Sequence, residues 1–162
     1  MTRAAIAIVL VLAGNTRADP PCKSVVLEAA AGVELAPLAD DDLLERAAIA
    51  AAWRADRWQV GARVALAAGT GVQLVDEELV EGGVWLHASR RLDVLLAWRV
   101  GRAGFHFGYA FVAALALEPV AQLAIHVSPR LDVRIEPVAV HLYRSGVWQG
   151  TFGPQVGVAW RL

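Results

Sequence analysis

Apolar and polar residues alternate along much of this chain with a period of two. The C-terminal residues show it most plainly. Trp148, Gly150, Phe152, Pro154, Val156, Val158, Trp160 and Leu162 fall on one parity; Gln149, Thr151, Gly153, Gln155, Gly157, Ala159 and Arg161 fall on the other. Such alternation is the mark of a strand with two unlike faces, because a helix would repeat its apolar positions every three to four residues. The same pattern recurs upstream. Leu92, Val94, Leu96, Trp98 and Val100 oppose Arg91, Asp93, Leu95, Ala97 and Arg99. Leu131, Val133, Ile135, Pro137 and Ala139 oppose Arg130, Asp132, Arg134 and Glu136, and Trp58, Val60, Ala62, Val64 and Leu66 oppose Arg57, Gln59, Gly61 and Arg63.

A repeated segment separates these runs. Residues 87–94 read HASRRLDV and residues 126–133 read HVSPRLDV, with a weaker copy, ADRWQV, at 55–60. In each, an Arg opens a strand after a tight turn; Ser and Asp favour turns, and Pro129 cannot donate to a central ladder. The pattern predicts eight strands, at 24–35, 45–54, 57–68, 83–89, 91–101, 116–127, 130–143 and 148–162. Short turns close the end that carries both termini. Longer connections are expected at the other end, at 36–44, 69–82, 102–115 and 144–147, with 104–117 either prolonging the sixth strand or folding as a compact loop. Most of these strands reach the roughly 9–11 residues that cross a bilayer when tilted.

Arg and Asp are costly in lipid, so the face that carries them points inward. The fold class is therefore all-β: an eight-stranded antiparallel up-and-down transmembrane β-barrel, closed because hydrocarbon tolerates no open edge. Trp53, Trp58 and Trp160 fall near the turn end, and Trp98, Tyr143 and Trp148 nearer the loop end, as two interfacial girdles require.

Composition adds an address. At 162 residues there is room for one domain, and 57% of the chain is hydrophobic without a clean spanning helix. The nearest candidate, 104–127, would bury Glu118 and Pro119 in hydrocarbon. Residues 1–18 have the form of a signal peptide: Arg3, a short apolar run at 4–13, and a cleavage site at Thr16-Arg17-Ala18. Residues 19–162 would then form the barrel domain. Cleavage removes Arg3 and Arg17 and takes the formal charge from −1 to −3, which argues against nucleic acid as a partner. Cys22 is the sole cysteine, so no intramolecular disulfide can form, and its flanking Pro20-Pro21 does not match a lipidation site.

The predicted inner face holds Glu28, Glu34, Asp93, Asp132 and Glu136 against Arg46, Arg54, Arg57, Arg63, Arg91, Arg99, Arg130, Arg134 and Arg161. Arg57, Arg91 and Arg130 fall at the rim. An eight-stranded barrel is just wide enough for side chains to fill. The lumen network of Glu28, Glu34, Arg46, Arg54, Arg63, Asp93, Arg99, Asp132, Arg134 and Glu136 thus reads as a plug of Arg–carboxylate pairs. A narrow anion-favouring pore is the alternative, on the excess of nine cations over five anions. Two acidic runs, Asp40, Asp41, Asp42 and Glu45, then Asp76, Glu77, Glu78 and Glu81, read as solvated outer loops without the spacing of a dedicated metal site. His87-Ala88-Ser89 and His126-Val127-Ser128 raise a third possibility, a membrane-lipid hydrolase, but the pair recurs at equivalent turns and so reads as architecture. A soluble lipocalin-type barrel would need an apolar interior. No catalytic residue, cofactor or metal is expected.

The ending Gly157-Val158-Ala159-Trp160-Arg161-Leu162 resembles the C-terminal β-signal of bacterial outer-membrane proteins, with Leu162 where the final Phe is usual. With the leader and the eight strands, the chain resembles the small OmpA/OmpX-type barrels. That resemblance implies a monomer in the bacterial outer membrane, surrounded by its lipid. It also implies handling by the barrel-assembly machinery through Gly157, Trp160 and Leu162. The expected role is structural or interaction-based, exerted through the outer loops.

Overall fold

The computed structural model describes residues 23–36, 42–69 and 74–162. The leader, Cys22, and Asp40 and Asp41 lie outside the described residues, as does the side chain of Asp42. The strands are β1 (Lys23–Ala36), β2 (Asp42–Ala55), β3 (Trp58–Ala68), β4 (Leu74–Ser89), β5 (Leu92–Phe107), β6 (Ala110–His126), β7 (Leu131–Arg144) and β8 (Trp148–Arg161). Each pairs antiparallel with its neighbours in sequence, and β8 returns to β1, for example Leu27 with Trp160 and Ala29 with Val158, to close the barrel. The Leu162 amide donates to the Val25 carbonyl at 2.9 Å, so the ladder runs to the last residue.

All eight predicted strands are present, and the alternation in β3, β5 and β8 falls as read. The connections differ. The expected loops at 69–82 and 102–115 are largely strand: β4 begins at Leu74, and β5 and β6 meet in a two-residue turn, Gly108-Tyr109. Gly108 supplies the left-handed conformation (φ 61°) that this tight hairpin needs. The connections at 108–109 and 145–147 are about as short as the turns at 56–57, 90–91 and 127–130, whereas those at 37–41 and 69–73 span five residues each. The expected asymmetry of loop length between the two ends is thus much smaller than the sequence suggested and rests on those two connections.

In β7 the parity slips. Its register with β8 shifts between Glu136 and Ala139, and that with β6 shifts between Ile135 and Leu142, so Pro137 and Val138 occupy an irregular stretch. Proline lacks the amide a ladder needs, and a strand accommodates it at a bulge. Ala139, expected outside, therefore lies inside, and so do His141 and Tyr143. Tyr143, read from the sequence as an interfacial aromatic, is a lumen residue.

The exterior is apolar and exposed, the reverse of a water-soluble fold. Ile49, Val60, Val80, Trp98, Val138, Val156 and Val158 all face outward. On β5 the apolar run extends from Leu92 to Val100, a strand length that crosses hydrocarbon at the usual tilt. Beyond it the outward positions turn polar: Arg102 pairs with Glu78 at 2.8 and 2.9 Å, and His106 meets Asp76 at 2.7 Å. The ends of β4, β5 and β6 consequently project past the apolar band. No helix among the described residues is long and apolar enough to cross a membrane.

Candidate functional site

The interior is where this barrel concentrates its chemistry. Inward positions of all eight strands supply buried polar groups, and a strand's period of two sends every second side chain there. All ten residues of the predicted lumen network are buried. They are joined by Arg161, as expected, and by Glu77, Glu81 and Glu118, which were not. The described interior therefore holds six buried arginines against eight buried carboxylates. The excess of cations that motivated an anion-favouring pore is reversed. Arg57, Arg91 and Arg130 are exposed at the rim, and the acidic run at 76–81 is strand: Glu77 and Glu81 point inward, Glu78 outward.

At the turn end, Arg54 donates to Asp93 at 2.9 Å, and Arg161 holds Asp132 through two nitrogens, one at 3.0 Å. His126 lies between the two aspartates, at 2.8 Å from Asp132 and 3.2 Å from Asp93. His87 meets Asp93 at 2.8 Å. The two similar turn segments thus set a histidine against the aspartate six residues on. Their serines cap the turns: the Ser128 hydroxyl accepts from the amides of Arg130 and Leu131, and that of Ser89 from Arg91. Among the described residues neither serine is hydrogen-bonded to a histidine.

In the middle, Arg99 is the hub. It donates to Glu81 at 2.7 Å, Glu136 at 2.7 Å and Glu118 at 3.3 Å, three carboxylates from three strands. Arg134 and Arg63 reach Glu28 at 2.6 and 3.3 Å, and Gln122 bridges Glu28 to Glu136. Trp85 donates its indole N–H to Gln59 at 3.0 Å and lies beneath the guanidinium groups of Arg54 and Arg134, at 4.4 and 5.1 Å. A cavity of about 10 Å³, room for one water, adjoins Glu28, Gln59, Arg63 and Arg134. Arg63 Nε and Arg134 Nε and Nη2 have no protein partner among the described residues, so a water there would meet donors.

Towards the loop end, Arg46 binds Glu77, Glu118 at 3.0 Å and Glu34 at 3.3 Å. His141 spans Glu118 and Glu34, the latter at 2.9 Å, and Thr151 donates to Glu34 at 2.7 Å. Glu77, Glu118 and His141 are close enough together for one cation, but the Arg46 guanidinium already binds both glutamates and supplies that charge. Above this tier the interior turns apolar. Ala36, Leu44, Val75, Leu79, Ala103, Ala114 and Ala116 form one cluster, over which Phe105 packs edge-on against Tyr143 at 4.9 Å. Tyr143 belongs to both layers, since its hydroxyl donates to Glu77.

The sequence reading missed Glu77, Glu81, Glu118, His141 and Tyr143. Glu118 and Gln122 share a parity with Ala116, Val120 and Ala124, and that was the available signal. His141 and Tyr143 gave none, because the slip at Pro137-Val138 inverts their parity. The residues of the C-terminal motif are placed as follows. Trp160 faces outward opposite Leu27 and Leu131; Leu162 is exposed. Gly157 is inward, where a side chain would meet the Ala29 carbonyl at 2.6 Å.

No protein-family model matches the chain, and no curated protein matches its sequence. Solved structures do match its fold. Neisserial surface protein A (NspA) aligns at 13% identity with a TM-score of 0.63, over 86% of this chain and 97% of that one. The N-terminal β-barrel domain of Pseudomonas aeruginosa OprF aligns at 10% identity and 0.53, over 85% and 97%. Ail, the attachment invasion locus protein of Yersinia pestis, aligns at 13% identity and 0.51, over 86% and 97%. At such identities the likeness is one of fold. The chain is a closed eight-stranded antiparallel barrel that resembles the small bacterial outer-membrane barrels of OmpA/OmpX type.

Proposed function

We propose that this protein is a bacterial outer-membrane barrel with a sealed lumen and a structural or interaction role, without catalytic activity. The observation that carries the reading is the layered interior. Charged tiers fill it from the turn end upward, and the apolar cluster around Phe105 and Tyr143 covers them at the other end. Ions entering would have to displace paired guanidinium and carboxylate groups and then cross an apolar layer, each at a cost of several kcal/mol. The apolar exterior and the shared fold support a bilayer setting. The C-terminal motif supports assembly by the machinery that inserts such barrels, as a monomer.

The connections at the loop end are too short to carry recognition alone. The interaction surface moves instead to the projecting ends of β4–β6, where Tyr109 and Phe111 stand exposed beside the Glu78–Arg102 and Asp76–His106 pairs. Recording across a planar bilayer tests the sealed lumen. The expected result is protein insertion without discrete conductance steps; reproducible single-channel steps would overturn it and restore a pore.

A further inference from the structure

The turn end carries a ring of cations that no part of the interior uses. Arg57, Arg91 and Arg130 occupy equivalent places, each immediately ahead of an odd-numbered strand (β3, β5, β7), and each is exposed. Their backbones are pinned alike: the carbonyls accept from the amides of Trp85, His126 and Arg161 at 2.6, 2.9 and 2.8 Å. Lys23, at the start of β1 and also exposed, completes one cation per hairpin around the rim. Neighbouring strands lie about 4.8 Å apart, so cations on alternate strands stand about 10 Å apart along the circumference. Arg90 adds a fifth charge. Against these five, the exposed acidic side chain among the described residues at this end is Asp56, because Asp93 and Asp132 are buried and paired inside.

None of the five cations has an ion-pair partner among the described residues. Their height is fixed by the tryptophans. Trp53, Trp58 and Trp160 face outward at this end, and tryptophan settles at the level of lipid headgroups. The Arg57 guanidinium lies 5.9 Å over the Trp58 ring, which places it on the outer side of the rim and at that level. The loop end is different: Glu45, Asp76 and Glu78 stand there with Arg102 and Arg144.

We propose that the ring of Lys23, Arg57, Arg91 and Arg130 binds the phosphodiester headgroups of anionic phospholipids in the leaflet at the turn end. The inference rests on the reading of the chain as a bilayer-spanning barrel. An arginine fork binds phosphate oxygens in two-pronged fashion, and a basic side chain at an anionic bilayer surface gains enough attraction to favour the anionic lipid about fivefold. The ring anchors the barrel's vertical position and gathers anionic lipid around it.

The test uses the full chain folded into vesicles, with tryptophan fluorescence quenched by brominated-chain phosphatidylglycerol or brominated-chain phosphatidylcholine. Preferential quenching by phosphatidylglycerol that weakens as salt rises is the expected result. The triple variant R57Q/R91Q/R130Q should bring the two lipids to near parity while leaving phosphatidylcholine quenching unchanged, and R57K/R91K/R130K should keep most of the preference. Equal quenching of the unmodified protein by both lipids overturns the ring and leaves the barrel reading intact. A preference that survives the glutamine variant also overturns it. Quenching by neither lipid overturns the bilayer reading itself. If the glutamine variant fails to fold, the salt titration of the unmodified protein decides: a preference indifferent to salt contradicts the proposal.

Discussion

Arg99 is the residue on which the interior turns. It is buried and satisfies Glu81, Glu118 and Glu136 at once. A buried ion pair adds little net stability over an apolar substitute, yet removing one partner strands the others. Arg99→Met should therefore cost about 3–5 kcal/mol in denaturant unfolding from vesicles. Arg102→Met, which breaks an equally well-formed but exposed pair with Glu78, should change stability little. Legibility at this scale followed the alternation. Asp93, Arg99, Asp132 and Arg134 sit in clean period-two runs, so their inward direction could be read directly. Glu77 and Glu81 sit in a strand segment whose acids fall on both faces and whose inward neighbours, Val75 and Leu79, are apolar. That segment obeys neither strand template, and it read as loop. The same mixed pattern makes sense once β4 is seen to leave the bilayer there.

Strands are specified here by what surrounds them as much as by their own residues. The third, fifth and eighth were legible from alternation, and the seventh as far as Glu136. The turn between β5 and β6 was not, because GFHFGYAFV at 104–112 alternates only in part, and the position of Gly108 became decisive only with its conformation known. The slip in β7 was equally hidden: a proline in a strand signals irregularity without saying which way the parity turns. The outward face of β5 yields a direct prediction. Leu96 lies near the middle of its apolar run, so Leu96→Arg should destabilise the bilayer-folded state by about 2–4 kcal/mol, measured by reversible unfolding from vesicles. A cost near zero would mean that this face meets water.

At the scale of the whole molecule, two features combine that a water-soluble protein would not survive: a continuous apolar exterior and an interior of paired charges. Closure between β1 and β8 makes both possible, since it leaves no open edge and pairs the chain's final residues. The sequence conveyed this inside-out distribution well, because it is a property of parity summed over eight strands. It conveyed the balance of charge poorly, because three arginines fall at the rim, Glu77 and Glu81 lie in a stretch that read as loop, and Glu118 was not counted among the inward acids. A closed barrel with this distribution folds in a bilayer. Electrophoresis in SDS of the vesicle-folded protein, with and without boiling, tests it most directly. The unboiled protein should migrate as a distinct band which shifts on boiling; identical mobility before and after, with the protein recovered in the soluble fraction, would show that no bilayer-folded barrel forms.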